Sequence, residues 1–173
     1  MPDRDAYIVD GSNVSRCPAW RSAYPELSDI ERSERLEHVA FDWSGYAGHE
    51  LILVFDGPGV TERSMGNAGM IMHSGRRDAD SLIRDHAVEL IQRRRSVAVV
   101  TDDRELAETI AGARRVHTSS FVADLLGTSS RAEAQIEGEH ERGLERGSGG
   151  SSLDQHMSDS VRERLDRMRR GLE

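Results

Sequence analysis

Three apolar runs, each leading into an acidic residue, organise this chain. They are Tyr7-Ile8-Val9-Asp10, Ile52-Leu53-Val54-Phe55-Asp56 and Val97-Ala98-Val99-Val100-Thr101-Asp102-Asp103. Gly11 and Gly57 follow the first two. Short continuous apolar runs bounded by turn residues predict buried strands. Strands covered on both faces belong to a parallel sheet. Between them the period changes. Ser28 and Glu31 form a capping box that opens a helix carrying Leu27, Ile30, Leu36, Val39, Ala40 and Trp43, ending near Gly45 or Gly48. The segment from Ser15 to Pro25 before it reads as a loop. A second helix starts around Asp78 to Ser81, buries Leu82, Ile83, His86, Ala87, Leu90 and Ile91, and closes on Arg93, Arg94 and Arg95. Shorter elements complete the pattern: a strand at Met70 to Met72, a helix from Arg104 to Ala111, a strand at Arg115 to His117, and a helix capped by Ser119 or Ser120 and closed by Gly127. Alternating strands and helices predict an α/β fold with helices on both faces of a mostly parallel sheet.

Beyond Gly127 the pattern lapses. Residues 128–152 are polar and end in a Gly/Ser-rich stretch, which predicts a linker. Residues 153–173 carry Leu153, Met157, Val161, Leu165, Met168 and Leu172 on one stripe, which predicts an amphipathic C-terminal helix. The expected organisation is therefore a catalytic-sized domain over 1–127, a linker over 128–152 and a helical appendage over 153–173. A lone stripe needs a surface to cover it, whether the chain's own core, a second copy of itself or a partner protein.

Charge and composition narrow the function. Net charge is −8, which argues against a protein that coats nucleic acid by bulk attraction but leaves room for a local basic patch. All 23 basic residues are arginine. The single Cys17 excludes an internal disulfide framework and a cysteine-based zinc site. No run of 18 apolar residues and no signal-peptide core is present, so a cytoplasmic protein without membrane association is expected. The glycines from Gly57 to Gly69 lack the Gly-Lys-Ser/Thr of a phosphate-binding loop.

The carboxylates carry the chemistry. Parallel strands bring Asp10, Asp56, Asp102 and Asp103 to one sheet edge, and Asp80 opens a helix. Active sites of open α/β sheets lie at that edge. Clustered carboxylates repel unless something offsets them, and Mg²⁺ or Mn²⁺ takes hard oxygen ligands while sharing phosphate oxygens with a substrate. Asp10, Asp80 and Asp103 are the candidate metal-holding and catalytic set. Arg76 and Arg77, with Arg63, flank it and are candidates for holding a phosphate backbone.

Four stretches in order, Ile8-Val9-Asp10-Gly11-Ser12-Asn13-Val14, Val54-Phe55-Asp56-Gly57, Ala79-Asp80-Ser81-Leu82-Ile83 and Val99-Val100-Thr101-Asp102-Asp103, resemble the YacP-like branch of the NYN family, within the PIN-like ribonuclease superfamily. Gly112-Ala113-Arg114-Arg115-Val116 is similar to that family's last strand, so the likeness spans roughly Tyr7 to Leu126. It implies a PIN-like three-layer fold and a metal-dependent endoribonuclease that leaves 5′-phosphate and 3′-hydroxyl ends. Asp10, Asp80 and Asp103 fall on the family's acidic positions, Asp103 matching better than Asp102. Asp56, Asp102 and Glu105 are further candidate ligands. Asn13 matches the family's Asn, suited to orient the first Asp or touch phosphate, and Ser12 stands where the family usually has Tyr. Ser81 stands where a second acid is often found, which removes one potential ligand. The rival expectation is a non-catalytic RNA-binding or ribosome-associated module on the same fold. A haloacid-dehalogenase-type phosphohydrolase is excluded, since Asp56 lacks the second Asp of that motif.

Overall fold

The computed structural model describes residues 5–58 and 62–131. Six strands form one sheet: β1 (Ala6–Asp10), β2 (Glu50–Phe55), β3 (Glu62–Ser64), β4 (Gly69–His73), β5 (Val97–Val100) and β6 (Arg114–Val116). Their order is β3-β4-β2-β1-β5-β6, and every pairing is parallel except β3 with β4. The three runs that end in acid thus occupy the centre, with Asp10 beside Val54 in register. Five helices are α1 (Gly11–Arg16), α2 (Pro18–Ala23), α3 (Asp29–Ala47), α4 (Ala79–Gln92) and α5 (Arg104–Thr109). A sixth, α6, occupies residues 118–131.

Side chains alternate across the sheet, and the alternation sorts the core into two layers. Val9, Leu51, Leu53, Phe55 and Val100 pack with residues of α1, α2, α3 and α6, including Trp20, Leu36, Trp43 and Phe121. Ile8, Ile52, Val54, Val97 and Val99 pack on the other side with Ile83 and Leu90 of α4 and Leu106 of α5. The result is the expected three-layer α/β arrangement. The capping box at Ser28 is formed, with Ser28 N donating to Glu31 Oε2 at 2.8 Å and Glu31 N to Ser28 Oγ at 3.3 Å. Gly48, at φ 72°, ends α3 in the left-handed conformation that favours glycine.

Several local expectations are corrected. The segment read as a loop, Ser15 to Pro25, is mostly helical. Asp10 caps α1, Pro18 starts α2 where its missing N–H costs nothing, and fully buried Trp20 anchors the turn by donating to Arg32 O at 3.0 Å. Ile30 is 73% exposed and not part of the stripe of α3, whereas Arg32 is buried. His86 is only half-buried. The sheet gains β3, an exposed antiparallel edge strand with no apolar residue. Gly127 does not end the last helix, which continues through residue 131. The expected linker beyond 131 and the expected helix over 153–173 lie outside the described residues. Among the described residues no helix is long and apolar enough to cross a membrane.

Candidate functional site

The carboxyl ends of β1, β2 and β5 point into one cleft. Asp10 closes β1, is 7% exposed, and accepts a hydrogen bond from Asn13 N at 2.9 Å as the cap of α1. Asp56 follows β2 and is exposed. Its N–H donates to Ser12 Oγ at 2.8 Å, which ties the end of β2 to the start of α1. Gly11 lets this approach happen, because a Cβ there would stand 2.7 Å from the Phe55 ring. Asp10, Ser12, Asn13, Asp56 and Asp102 line a cleft of about 380 Å³, with Arg16 at its rim.

Asp80 lies in the first turn of α4, half-buried. Asp78, not Asp80, caps that helix, accepting from Ser81 N at 2.6 Å and Ser81 Oγ at 2.8 Å. Ser81 thus stands as a partner of Asp78. Those bonds hold the Asp78 carboxyl below the usual range. Asp103 caps α5, accepting from Leu106 N at 3.0 Å, and its own N–H donates to buried Thr101 Oγ1 at 3.0 Å.

The two neighbouring acids after β5 take different tasks. Asp102 accepts from Thr118 N at 3.1 Å and from Thr118 Oγ1, and faces His117 Nδ1 at 3.4 Å. It ties β5 to the start of α6. Burial pushes the Asp102 carboxyl up, but the bonds from Thr118 and His117 together outweigh it and hold it below the usual range.

Electrostatics joins the remaining acids. Burial, then the charges of Asp56 and Asp80, push Asp10 up to about 6 against the opposing bonds from Asn13. Burial also raises Asp80, helped by Asp103, Asp78 and Asp56. Asp10, Asp56, Asp80 and Asp103 therefore share one field of negative charge. Four expected participants stand apart. Glu105 is exposed in the first turn of α5. Arg77 pairs with Asp85 at 2.5 Å, and Arg76 is exposed; neither lines the cleft. Arg63 pairs with Glu37. The arginine that does line it is Arg16, hidden in a segment read as loop; Pro18 one turn on was the available signal.

Among the described residues no group of three or more His, Cys, Asp or Glu closes into a ligating cluster. The donor set is oxygen only. It fits a hard divalent cation held through one or two carboxylates and otherwise by water and phosphate oxygens, which is the habit of Mg²⁺. Burial first, and then the charges of Asp56 and Asp80, raise the Asp10 carboxyl, and a cation there would offset that cost.

Comparisons with known proteins follow this geometry. The crystal structure of Rae1 (YacP) from Bacillus subtilis superposes with a TM-score of 0.65 at 21% identity, covering 96% of this chain and 95% of that one. The structure of a tryptophan-to-leucine mutant of the same protein superposes with a TM-score of 0.56 at 20% identity, covering 86% of each chain. No curated protein matches. The family profile of the YacP-like NYN domain matches residues 7–170, which reaches well beyond Leu126 into the C-terminal segment. The chain belongs to the YacP-like NYN domain family, a branch of the PIN-like nucleases.

Proposed function

We propose that this protein is a metal-dependent endoribonuclease acting at the cleft between β1, β2 and β5. The observation that supports it is Asp10, buried at the end of β1 in a nuclease-family fold, with Asp56 beside it in the cleft and Asp80, in the first turn of α4, near enough to act on its charge. Asp10, Asp80 and Asp103, with Asp56 beside them, would hold Mg²⁺ or Mn²⁺. Bound there, such an ion supplies Lewis-acid charge and lowers the pKa of its water. The backbone N–H of Asn13 holds Oδ1 of Asp10, so the carboxylate keeps a set direction. The caps on Asp103 and Asp78 fix the starts of α5 and α4, and so the placement of Asp80 and Asp103. Asp102, in the cleft lining, also holds the start of α6 through Thr118. In-line attack of water on phosphorus with departure of the 3′ oxygen leaves 5′-phosphate and 3′-hydroxyl ends. The protein acts in the cytoplasm on this reading, with its C-terminal segment available to a ribosome or protein partner.

The open carboxylate set favours a second reading, an RNA-binding module that does not cleave. One experiment separates them. Purified full-length protein is incubated with total RNA with and without Mn²⁺, and the new ends are mapped. Cleavage only with the ion, leaving 5′-phosphates, supports the nuclease. Retention of intact RNA under both conditions supports the binding module.

A further inference from the structure

A second pocket of about 440 Å³ adjoins the carboxylate cleft and has the opposite charge. Arg16, Arg21 and Arg32 line it, together with Pro18, Ser22 and Pro25. No carboxylate is among these residues. Arg16 and Pro18 line the cleft as well, so the two sites share a wall. Arg16 and Arg21 stand in the last turns of α1 and α2, and both are exposed. Among the described residues neither is paired with an acid. Arg32 differs. It is 8% exposed, and its Nη atoms donate to Tyr24 O at 3.3 Å, to Leu27 O, and to Asp29 Oδ1 at 2.5 Å. Its Nε is buried with no hydrogen-bond partner. Asp29 offsets one of the three charges. It also feels Arg21 and Arg16, which places three guanidiniums around one carboxylate.

Arginine presents a planar fork of donors suited to phosphate oxygens. The chain as a whole carries −8, and the cleft itself is lined by acids. An RNA strand is repelled by both unless a local positive surface draws it in. We propose that the Arg16–Arg21–Arg32 pocket binds a backbone phosphate of the RNA strand whose neighbouring phosphodiester lies in the carboxylate cleft. This rests on the nuclease reading of that cleft. It replaces Arg76 and Arg77 as the main phosphate contact. Arg32, fixed by its own bonds and paired with Asp29, holds the wall in place, while Arg16 and Arg21 supply the charge and make the contact.

The test is binding of a short single-stranded RNA to the full chain, carrying Asp10→Asn and with divalent ions chelated, followed by fluorescence anisotropy across a salt series. Arg16→Gln with Arg21→Gln should weaken binding about tenfold and flatten the plot of log K against log salt by about 0.7, the share of one single-strand phosphate. Arg76→Gln with Arg77→Gln should change neither. Because Arg16 and Arg21 are exposed and unpaired, thermal melts of that variant should match the parent. RNAs bearing 5′-hydroxyl and 5′-phosphate ends should respond alike. With Asp10 intact, the Arg16/Arg21 variant should raise KM for cleavage more than it lowers kcat. If the parent binds RNA and the Arg16/Arg21 pair leaves affinity and slope unchanged, the pocket is not a phosphate site. An effect confined to 5′-phosphorylated RNA overturns the backbone assignment in favour of end recognition. If the parent neither binds nor cleaves RNA, the nuclease reading fails and this inference with it.

Discussion

Asp10 bears the largest electrostatic cost in the described chain. Its carboxyl stands at about 6 in the folded protein against an ordinary 3.8. An acid whose folded pKa is raised binds more protons folded than unfolded, so stability falls as pH rises through the window from about 4 to about 6. The full rise is worth about 3 kcal/mol above that window. In metal-free protein, Asp10→Asn should therefore raise Tm above pH 6, by several degrees at about 2–4 °C per kcal/mol. The gain should shrink towards zero as pH drops below 4. Thermal melts of both proteins in chelator between pH 3.5 and 8 measure this directly. A mutant no more stable than the parent at pH 7.5 would mean that Asp10 is not under strain. Mn²⁺ should restore stability to the parent, since an ion that binds only the folded state stabilises it.

Between strands, backbone approach decides what is tolerated. Gly69 starts β4 at φ 131°, and a Cβ there would lie 1.8 Å from Leu51 O of the neighbouring strand. Gly69→Ala combines a strained backbone with a clash against an immovable carbonyl. It should cost at least about 2 kcal/mol, read from urea unfolding. Gly45, inside α3 with nothing near its absent Cβ, should instead gain about 0.5–1 kcal/mol on substitution by Ala. The elements differ in how far they could be read from residues alone. β1, β2 and β5 were legible because all-apolar runs ending in turn residues have few other meanings. α3 and α4 were legible from their caps and stripes. α1 and α2 were not, because six residues show no period; Asp10 as cap and buried Trp20 hold them. β3 is Glu62-Arg63-Ser64, wholly exposed, and is a strand only because β4 pairs with it. At the site, the acids could be placed at one edge from strand direction. The separate tasks of Asp102 and Asp103 could not, since Asp102 is claimed by Thr118, 16 residues later. The arginine pocket was hidden with α1 and α2.

For the molecule as a whole, the two core layers reach to Leu126 among the described residues. Beyond it, Thr128, Ser129 and Ser130 bond back to the carbonyls of Asp124, Leu125 and Leu126. A chain ending at residue 131 should therefore fold cooperatively, with a single sharp transition by circular dichroism. A broad transition would show that the family pattern's reach to residue 170 reflects a segment the core needs. What the protein does rests on the carboxylate cleft, and one comparison bears on it most directly. The cleavage rate of a single defined RNA is measured at saturating Mn²⁺ for the full-length protein and for Asp10→Asn, each also in chelator. If Asp10 holds the ion as proposed, Asp10→Asn removes a charged ligand, so cleavage should fall at least about a hundredfold, to the level seen without the ion. Cleavage by Asp10→Asn at the parent's rate, or parent cleavage undiminished in chelator, would contradict a metal-dependent nuclease at this cleft.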